Sequence, residues 1–290
     1  MSKIFAVIVC YEPDRNIYKL ITDLNDQSVL PVIVDNSEKN RLVLSANCKY
    51  KYIALKQNIG IAAAQNIGIE YCIKNGANVV VFFDQDSKIS SSLIEKLYIP
   101  IMERRTNISV PIYRDERKGF FYKIVNINKF GIRKVIIPND NMPYFVINNA
   151  ISSGTMMHID TIKKVGCMDS TLFIDYVDTE WFLRASFYGE TALVITDAIM
   201  EHTIGDKIID LKLCKIPVHS PLRRYYRVRN SIKLLKYKHI PKLLALREII
   251  FSIVHHCIIL ICCKHQKEYV YYFYKAFLHG LIGRNGKFKK

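Results

Sequence analysis

The sequence predicts an α/β fold, a mostly parallel sheet followed by a basic helical region, and three observations carry that prediction. Strand-like apolar runs alternate with helix-length segments over the first hundred residues, a spacing that calls for parallel strands joined by right-handed crossovers. The run Val79-Val80-Val81-Phe82-Phe83 leads straight into Asp84-Gln85-Asp86. That puts two carboxylates beyond the carboxyl end of a strand buried on both faces, where open α/β sheets collect their ligands. The charge is also uneven. Residues 1–206 hold 23 Lys and Arg and 23 Asp and Glu, whereas residues 207–290 hold 19 basic residues against Asp210, Glu248 and Glu268 alone, so the whole net charge of +16 falls in the last 84 residues.

Ile4–Cys10 reads as a buried strand closed by the turn Tyr11-Glu12-Pro13-Asp14, and an amphipathic helix follows from about Ile17 to Gln27. Leu30–Asp35 is a second strand ending at Asn36-Ser37, Tyr52–Leu55 a short third, and Ile61–Lys74 a helix stopped by Gly76. Val79–Phe83 is the fourth strand, and the next helix spans about Ser91 to Arg104 with Ser90 or Ser91 as cap. From Ser109 to Pro143 periodicity fades into short strand-like pieces with charged turns, expected as an excursion over the active edge. Order returns at Tyr144–Ile147 and at Ser152-Ser153-Gly154-Thr155-Met156-Met157, where hydroxyl residues and a glycine would let backbone approach a ligand. A helix from Asp160 to Val165, stopped by Gly166, leads to the segment Leu172 to Trp181, expected to run on as helix to Tyr188.

Half of the 290 residues are apolar, which allows a sizeable core and excludes a disordered chain. The cysteines Cys10, Cys48, Cys72, Cys167, Cys214, Cys257, Cys262 and Cys263 sit mostly in apolar segments without Cys-x-x-Cys spacing, and read as reduced core residues in a cytosolic compartment. The start, Met1-Ser2-Lys3-Ile4, leads into an apolar run too short for a signal h-region. His255, His256, Cys257, Cys262, Cys263 and His265 lack zinc-ligand spacing.

In the basic region the charge-free stretch Ile249–Cys263 is 15 residues long, short for a spanning helix. Tyr269, Tyr271, Tyr272, Phe273, Tyr274 and Phe277 follow, close to Lys264, Lys267 and Lys275. This mixture suits a helix pair lying at the headgroup boundary of an anionic membrane. An ordinary helical subdomain packed on the body accounts for the same residues. Nucleic acid is not expected as a partner, since no helix-turn-helix, zinc finger or aromatic RNA-binding sheet motif is visible.

Asp84 and Asp86 have the chemistry of hard-cation ligands: Mg²⁺ or Mn²⁺ held by one or two carboxylates keeps positions open for substrate phosphates. A solvated Asp-rich turn is the alternative. Asp175, Asp178 and Glu180 lie where a helix starts, and its dipole favours negative charge there. Two separate carboxylate centres are what displacement of a nucleoside diphosphate from a sugar requires, a cation on the leaving group and a base for the attacking hydroxyl. Arg223, Arg224, Arg227 and Arg229, with Tyr225 and Tyr226, are expected either as a loop gripping a diphosphate or as a solvated basic face.

The pattern includes Cys10-Tyr11-Glu12-Pro13, Val34-Asp35-Asn36-Ser37, the stretch from Gln57-Asn58-Ile59-Gly60 to Gly68, Asp84-Gln85-Asp86 and Ser153-Gly154. It continues with Phe173-Ile174-Asp175-Tyr176-Val177-Asp178-Thr179-Glu180-Trp181, His202 and Tyr225-Tyr226-Arg227-Val228-Arg229-Asn230. In this order and spacing it resembles, over nearly the whole chain, the inverting family 2 glycosyltransferases of the GT-A fold, particularly their bacterial rhamnosyltransferase branch. The resemblance implies a Rossmann-like nucleotide-sugar-binding sheet in a catalytic domain over 1–206, and a basic helical region over 207–290 that closes the site and meets a membrane surface. It further implies that Tyr11 and Asp35 hold the pyrimidine base, that Asn58 and Gly60 open the helix lining the nucleotide-sugar pocket, and that Asp84 and Asp86 meet ribose and metal. His202 would complete the metal site, and Asp178 would be the general base with Asp175 and Glu180 in support. The expected donor is dTDP-L-rhamnose and the expected acceptor a hydroxyl of a lipid-linked surface-polysaccharide precursor, O-antigen or capsule, on the cytoplasmic face of the inner membrane. A UDP-sugar donor, galactofuranosyl or hexosyl, and a non-catalytic nucleotide- or nucleic-acid-binding protein are the alternatives.

Overall fold

Continuous runs of β-branched and aromatic residues build the sheet of the structure, a computed structural model that describes residues 3–39, 48–116, 119–138, 142–202, 207–210, 215–262 and 266–289, with backbone alone at His202, 207–210 and 215–218. In chain order come β1 (Ile4–Cys10), α1 (Ile17–Asp26), β2 (Leu30–Asp35), β3 (Lys51–Ala54), α2 (Ile61–Lys74) and β4 (Val79–Asp84). These agree with the sequence reading to within a residue or so at each end. Then follow β5 (Lys88–Ile89), α3 (Leu93–Met102), β6 (Ile108–Asp115), β7 (Ile124–Ile127), β8 (Arg133–Ile136), β9 (Tyr144–Ile147), β10 (Met156–His158) and α4 (Ile159–Val165). The chain continues through α5 (Val177–Phe187), β11 (Ala192–His202), β12 (Lys207–Asp210), β13 (Lys215–Val218), α6 (Pro221–Lys233), α7 (Lys242–Cys262) and α8 (Gln266–Ile282).

The main sheet has the order β3-β2-β1-β4-β10-β6-β11-β5, with β9 also on β11. β1 to β4 are parallel neighbours, β10 runs against both β4 and β6, and β6 lies parallel to β11. The carboxyl ends of β1, β2, β4 and β6 therefore share one edge. Alternate residues of a strand point to opposite faces. Val7, Val80 and Phe82 pack with Ile69 and Cys72 of α2 on one side, while Ile8, Val81 and Phe83 pack with Leu20 of α1 and Leu97 of α3 on the other. Burial on both faces is why these strands read as unbroken apolar runs.

Three sequence expectations need correction. The segment from Ser109, expected as an excursion, begins with a central strand, β6, between β10 and β11. Pro111 disguised it, because proline brings no N–H to a ladder; the register of β11 shifts beside it, between Ile195 and Ile199. The arginine-rich segment expected as a loop is a helix, α6, with Pro221 in its first turn and the Ser220 hydroxyl accepting from Arg223 N at 3.3 Å, a start signal the sequence did carry. The charge-free stretch expected to fall short of a bilayer lies, as far as its described residues 249–262 go, in α7, which is 21 residues long and by length and composition apolar enough to cross a membrane, with a third of its apolar window buried. Its apolar pattern extends through Arg247 and Glu248, whose charges are paired. The six described cysteines are free; Cys214, Cys263 and His265 lie outside the described residues.

Candidate active site

Asp84 closes β4 where the apolar run stops. Its backbone N–H donates to Ser153 Oγ at 3.2 Å, and Ser87 N–H donates to its carbonyl at 3.1 Å. The hydroxyls of Ser87 and Ser153 are 3.1 Å apart, and Phe82 N–H donates to Thr155 O at 3.0 Å. The 152–155 segment is thus stitched along the end of β4, and the turn leaves Asp86 exposed.

Asp178, the second residue of α5, meets the same segment. Ser152 hydrogen-bonds its carboxylate through both backbone and side chain, and Gln65 Nε2 donates to the Ser152 hydroxyl oxygen at 3.0 Å. Burial pushes the Asp178 carboxyl up to about 6; the charge of Asp84 adds to the rise and the Ser152 hydrogen bonds oppose it. Tyr113, on β6, donates from Oη to Ser153 O at 2.7 Å, and its phenol is pushed up first by burial and then by the charges of Asp178 and Asp84. Two carboxylates distant in sequence thus stand within each other's field around one pair of serines. Tyr113 escapes the sequence reading because it lies in the supposed excursion; Ser152 falls in the segment expected to approach a ligand, but nothing in the sequence pairs it with Asp178.

On the other side of Asp84, Tyr11 follows β1 and is 50% exposed. The Gln85 amide brackets its backbone, accepting from Tyr11 N at 2.8 Å and donating to Tyr11 O at 3.3 Å. Asn58 Oδ1 accepts from Asn36 Nδ2 at 3.2 Å and from Gly60 N at 3.0 Å, and Asn36 Oδ1 accepts from Ile59 N at 2.8 Å. This joins the end of β2 to the start of α2. Beside Tyr113 opens a cavity of about 310 Å³ lined by Val110, Pro111, Tyr122, Ile124 and Ile151 among others. A larger hollow of about 740 Å³, around Pro100, Tyr144 and Asp197, contains none of the carboxylates above.

Several expected site residues make contacts within the protein. Asp35 is at 0% exposure, accepting from Ser37 N at 3.0 Å and from Tyr52 Oη at 2.6 Å, so it braces the Asn36-Ser37 turn at the end of β2. A Cβ at Gly60 would meet the Phe173 ring and carbonyl at 2.6 Å, and one at Gly154 would meet Pro111 at 2.6 Å; at both glycines the missing side chain admits a close approach of the protein itself. Glu180 is buried and paired with Arg184 at 2.8 Å, with His239 Nε2 2.8 Å from the same oxygen, so it turns away from Asp178. The buried carboxylate of Asp175 faces Arg223 at 3.7 Å. Arg229, expected at a diphosphate, is 1% exposed, its guanidinium donating to the carbonyls of Gly286 at 2.6 Å and Leu172 at 2.8 Å and to Asn230 Oδ1 at 2.9 Å. Burial of a fork of five donors demands such carbonyls. Arg227 lies over the Tyr176 ring, 5.6 Å from its centroid. The backbone of His202 ends β11 opposite Asp115; its side chain lies outside the described residues.

Among the described residues no three His, Cys, Asp or Glu side chains converge on a metal position. Asp84 and Asp86 still fit a hard divalent cation, since two all-oxygen ligands on one turn leave the remaining positions to substrate phosphates and water. Two carboxylate centres thus stand at the carboxyl edge of an open α/β sheet and across from it, an arrangement that suits transfer of a group from a nucleoside diphosphate. The comparisons give the family. Glycosyl transferase family 2 matches residues 5–166, and the dTDP-rhamnosyl transferase RfbF of Shigella flexneri is 43% identical over 288 residues, 98% of this chain and 97% of that protein. The chain belongs to glycosyl transferase family 2.

The fold recurs in solved structures. The crystal structure of S. aureus TarS has a TM-score of 0.59 at 14% identity, covering 94% of this chain and 49% of that one, so the chain spans about half of that protein. The crystal structure of GalNAc-T7 with UDP, GalNAc and Mn²⁺ has a TM-score of 0.57 at 12% identity, covering 98% of this chain and 58% of that one.

Proposed function

We propose that the chain transfers L-rhamnose from dTDP-L-rhamnose, with inversion, to a hydroxyl of a lipid-linked surface-polysaccharide precursor. The observation that carries the chemistry is the meeting of Asp84 and Asp178 around Ser152 and Ser153; the likeness to a dTDP-rhamnosyl transferase supports the donor. Asp178 takes the proton of the acceptor hydroxyl as its oxygen attacks the anomeric carbon, and the bond to the diphosphate oxygen breaks on the opposite face. A carboxyl held near 6 is ionised at neutral pH yet basic enough for that work. Asp84 and Asp86 would hold Mg²⁺ or Mn²⁺, which offsets the charge of the departing diphosphate. Tyr11 offers an exposed ring at the donor side, and the cavity beside Tyr113 gives the acceptor sugar room.

Residues 1–206 carry the chemistry in this reading, and 207–290 seat the enzyme peripherally on the cytoplasmic face of the inner membrane. In support, α7 and α8 expose Ile250, Phe251, Val254, Ile261, Tyr274 and Leu281 within the region that holds the entire net charge. A helix pair lying at the surface, not crossing it, keeps the Arg133–Glu248 pair at 2.7 Å intact.

The test is protection against thermal unfolding by nucleotide sugars, with and without Mn²⁺, followed by assay of sugar transfer. Stabilisation by dTDP-L-rhamnose, and turnover lost in excess chelator and in Asp86→Ala, are the expected results. Preference for a UDP-sugar would replace the donor, full activity in chelator would remove the metal, and no response to any nucleotide sugar would leave a non-catalytic protein.

A further inference from the structure

Glu248 is the single acidic residue of α7 and is 4% exposed. A buried carboxylate needs partners, and these come from three parts of the fold. Arg133 Nη2 on β8 reaches Oε1 at 2.7 Å, Arg247 Nη1 reaches the same oxygen at 3.0 Å, and Tyr176 Oη donates to Oε2 at 2.9 Å. Tyr176 is the cap residue of α5, left-handed at φ 63°, two positions before Asp178. Asp175 also has a positive φ, 63°, and Phe173, at φ 67° and ψ −60°, is the centre of a γ-turn closed by Ile174 N–H donating to Leu172 O at 2.8 Å. Residues with side chains hold that conformation only where surrounding contacts over-determine it.

The contacts divide the task. The Asn230 amide donates to the carbonyls of Leu172, Ile174 and Asp175 at 2.9, 2.8 and 3.1 Å and so fixes the approach to the turn. Glu248 fixes its last residue through the phenol. Close to Arg133, a Cβ at Gly131 would stand 2.7 Å from the Leu244 nitrogen, so the β7–β8 hairpin is pressed against the start of α7.

We infer that Glu248 is a positioning residue for the catalytic base: through Tyr176 it fixes the left-handed turn that starts α5, and thereby the direction in which Asp178 presents its carboxylate. The inference rests on Asp178 being the base. It also joins the helix that would meet lipid to the centre of the chemistry through one side chain.

Tyr176→Phe, Glu248→Gln and the double variant test it, with nucleotide-sugar donor and glycan acceptor supplied to the full chain. Tyr176→Phe keeps the ring under Arg227 and removes only the hydroxyl, so it decides the matter even where Glu248→Gln fails to fold. Each single variant is expected to lower kcat by about tenfold with donor KM within about twofold. The double variant should be no slower than the slower single one, because Tyr176→Phe removes the donor of the bond, while Glu248→Gln turns its acceptor into an amide N–H as Arg133 and Arg247 hold the remaining oxygen. Amide exchange at Glu180, whose N–H donates to Tyr176 O at 2.9 Å, should quicken in Tyr176→Phe. Multiplied losses in the double variant, or unchanged kcat and exchange in Tyr176→Phe, overturn the inference. Asp178→Asn is the separate control: full activity there sinks the base assignment, while the exchange rate still reports whether the bond holds the turn.

Discussion

Asp178 carries opposite consequences for stability and rate. Its carboxyl, held at about 6 mainly by burial, lies above its ordinary value of 3.8, so the fold favours the protonated form. The stabilising contribution is fully present below about pH 4 and is lost as pH rises through about 6. Asp178→Asn is therefore expected to raise stability near neutral pH by roughly 1–3 kcal/mol, a gain that vanishes in melts at pH below about 4. The same substitution should cut kcat by roughly 10²–10⁴-fold with donor affinity retained. In the unmodified enzyme, kcat should fall on the acid side through about pH 6 as the base protonates. Arg229 makes the opposite case. Arg229→Met strands the carbonyls of Leu172 and Gly286 and should destabilise the protein by about 2–4 kcal/mol, equally with and without nucleotide sugar in a thermal melt. A donor-dependent difference would restore it to the diphosphate.

At the scale of elements, the parallel strands and α2 were legible because burial on both faces and helical spacing are local properties of the chain. β6 was not, since Ser109 and Pro111 break its apolar run and only its neighbours β10 and β11 reveal it as central. The segment from Phe173 to Tyr176 read as helix, yet it is a turn with positive φ at Phe173, Asp175 and Tyr176, its carbonyls accepting from the Asn230 amide of α6. Gly60 joins these elements. It sits at φ +90° against Phe173, and Ile61 N–H donates to Phe173 O at 2.8 Å, so the start of α2 leans on the approach to α5. Gly60→Ala adds both a strained φ and a clash, and is expected to cost about 2 kcal/mol or more. Thermal unfolding measures this, and an unchanged melting temperature would show that Phe173 yields without cost.

For the whole molecule, charge and apolar surface lie together. The last 84 residues hold the entire net charge of +16, and α7 and α8 expose Leu243, Ile250, Ile261, Tyr274 and Ile282. Flotation with vesicles should show binding to anionic lipid, little to neutral lipid, and release as ionic strength rises. Binding that only detergent reverses would mean that α7 inserts across the bilayer, a course its length and composition permit. Such insertion would have to draw Glu248 away from Arg133 and Tyr176, leaving the buried charge with Arg247 of its own helix as its remaining partner among these.

The sequence by itself determined the open α/β sheet, the carboxylate pair at the end of β4 and the segregation of charge, because periodicity, strand-end position and composition are properties of neighbouring residues. Only the tertiary structure decided which polar groups face the site. Asp178 meets Ser152, while Glu180, Asp35 and Arg229 turn inward to Arg184, Tyr52 and the carbonyls of Leu172 and Gly286. A carboxylate or guanidinium looks the same in sequence whether it awaits a ligand or satisfies a buried partner, and which it does depends on the distant segment packed against it.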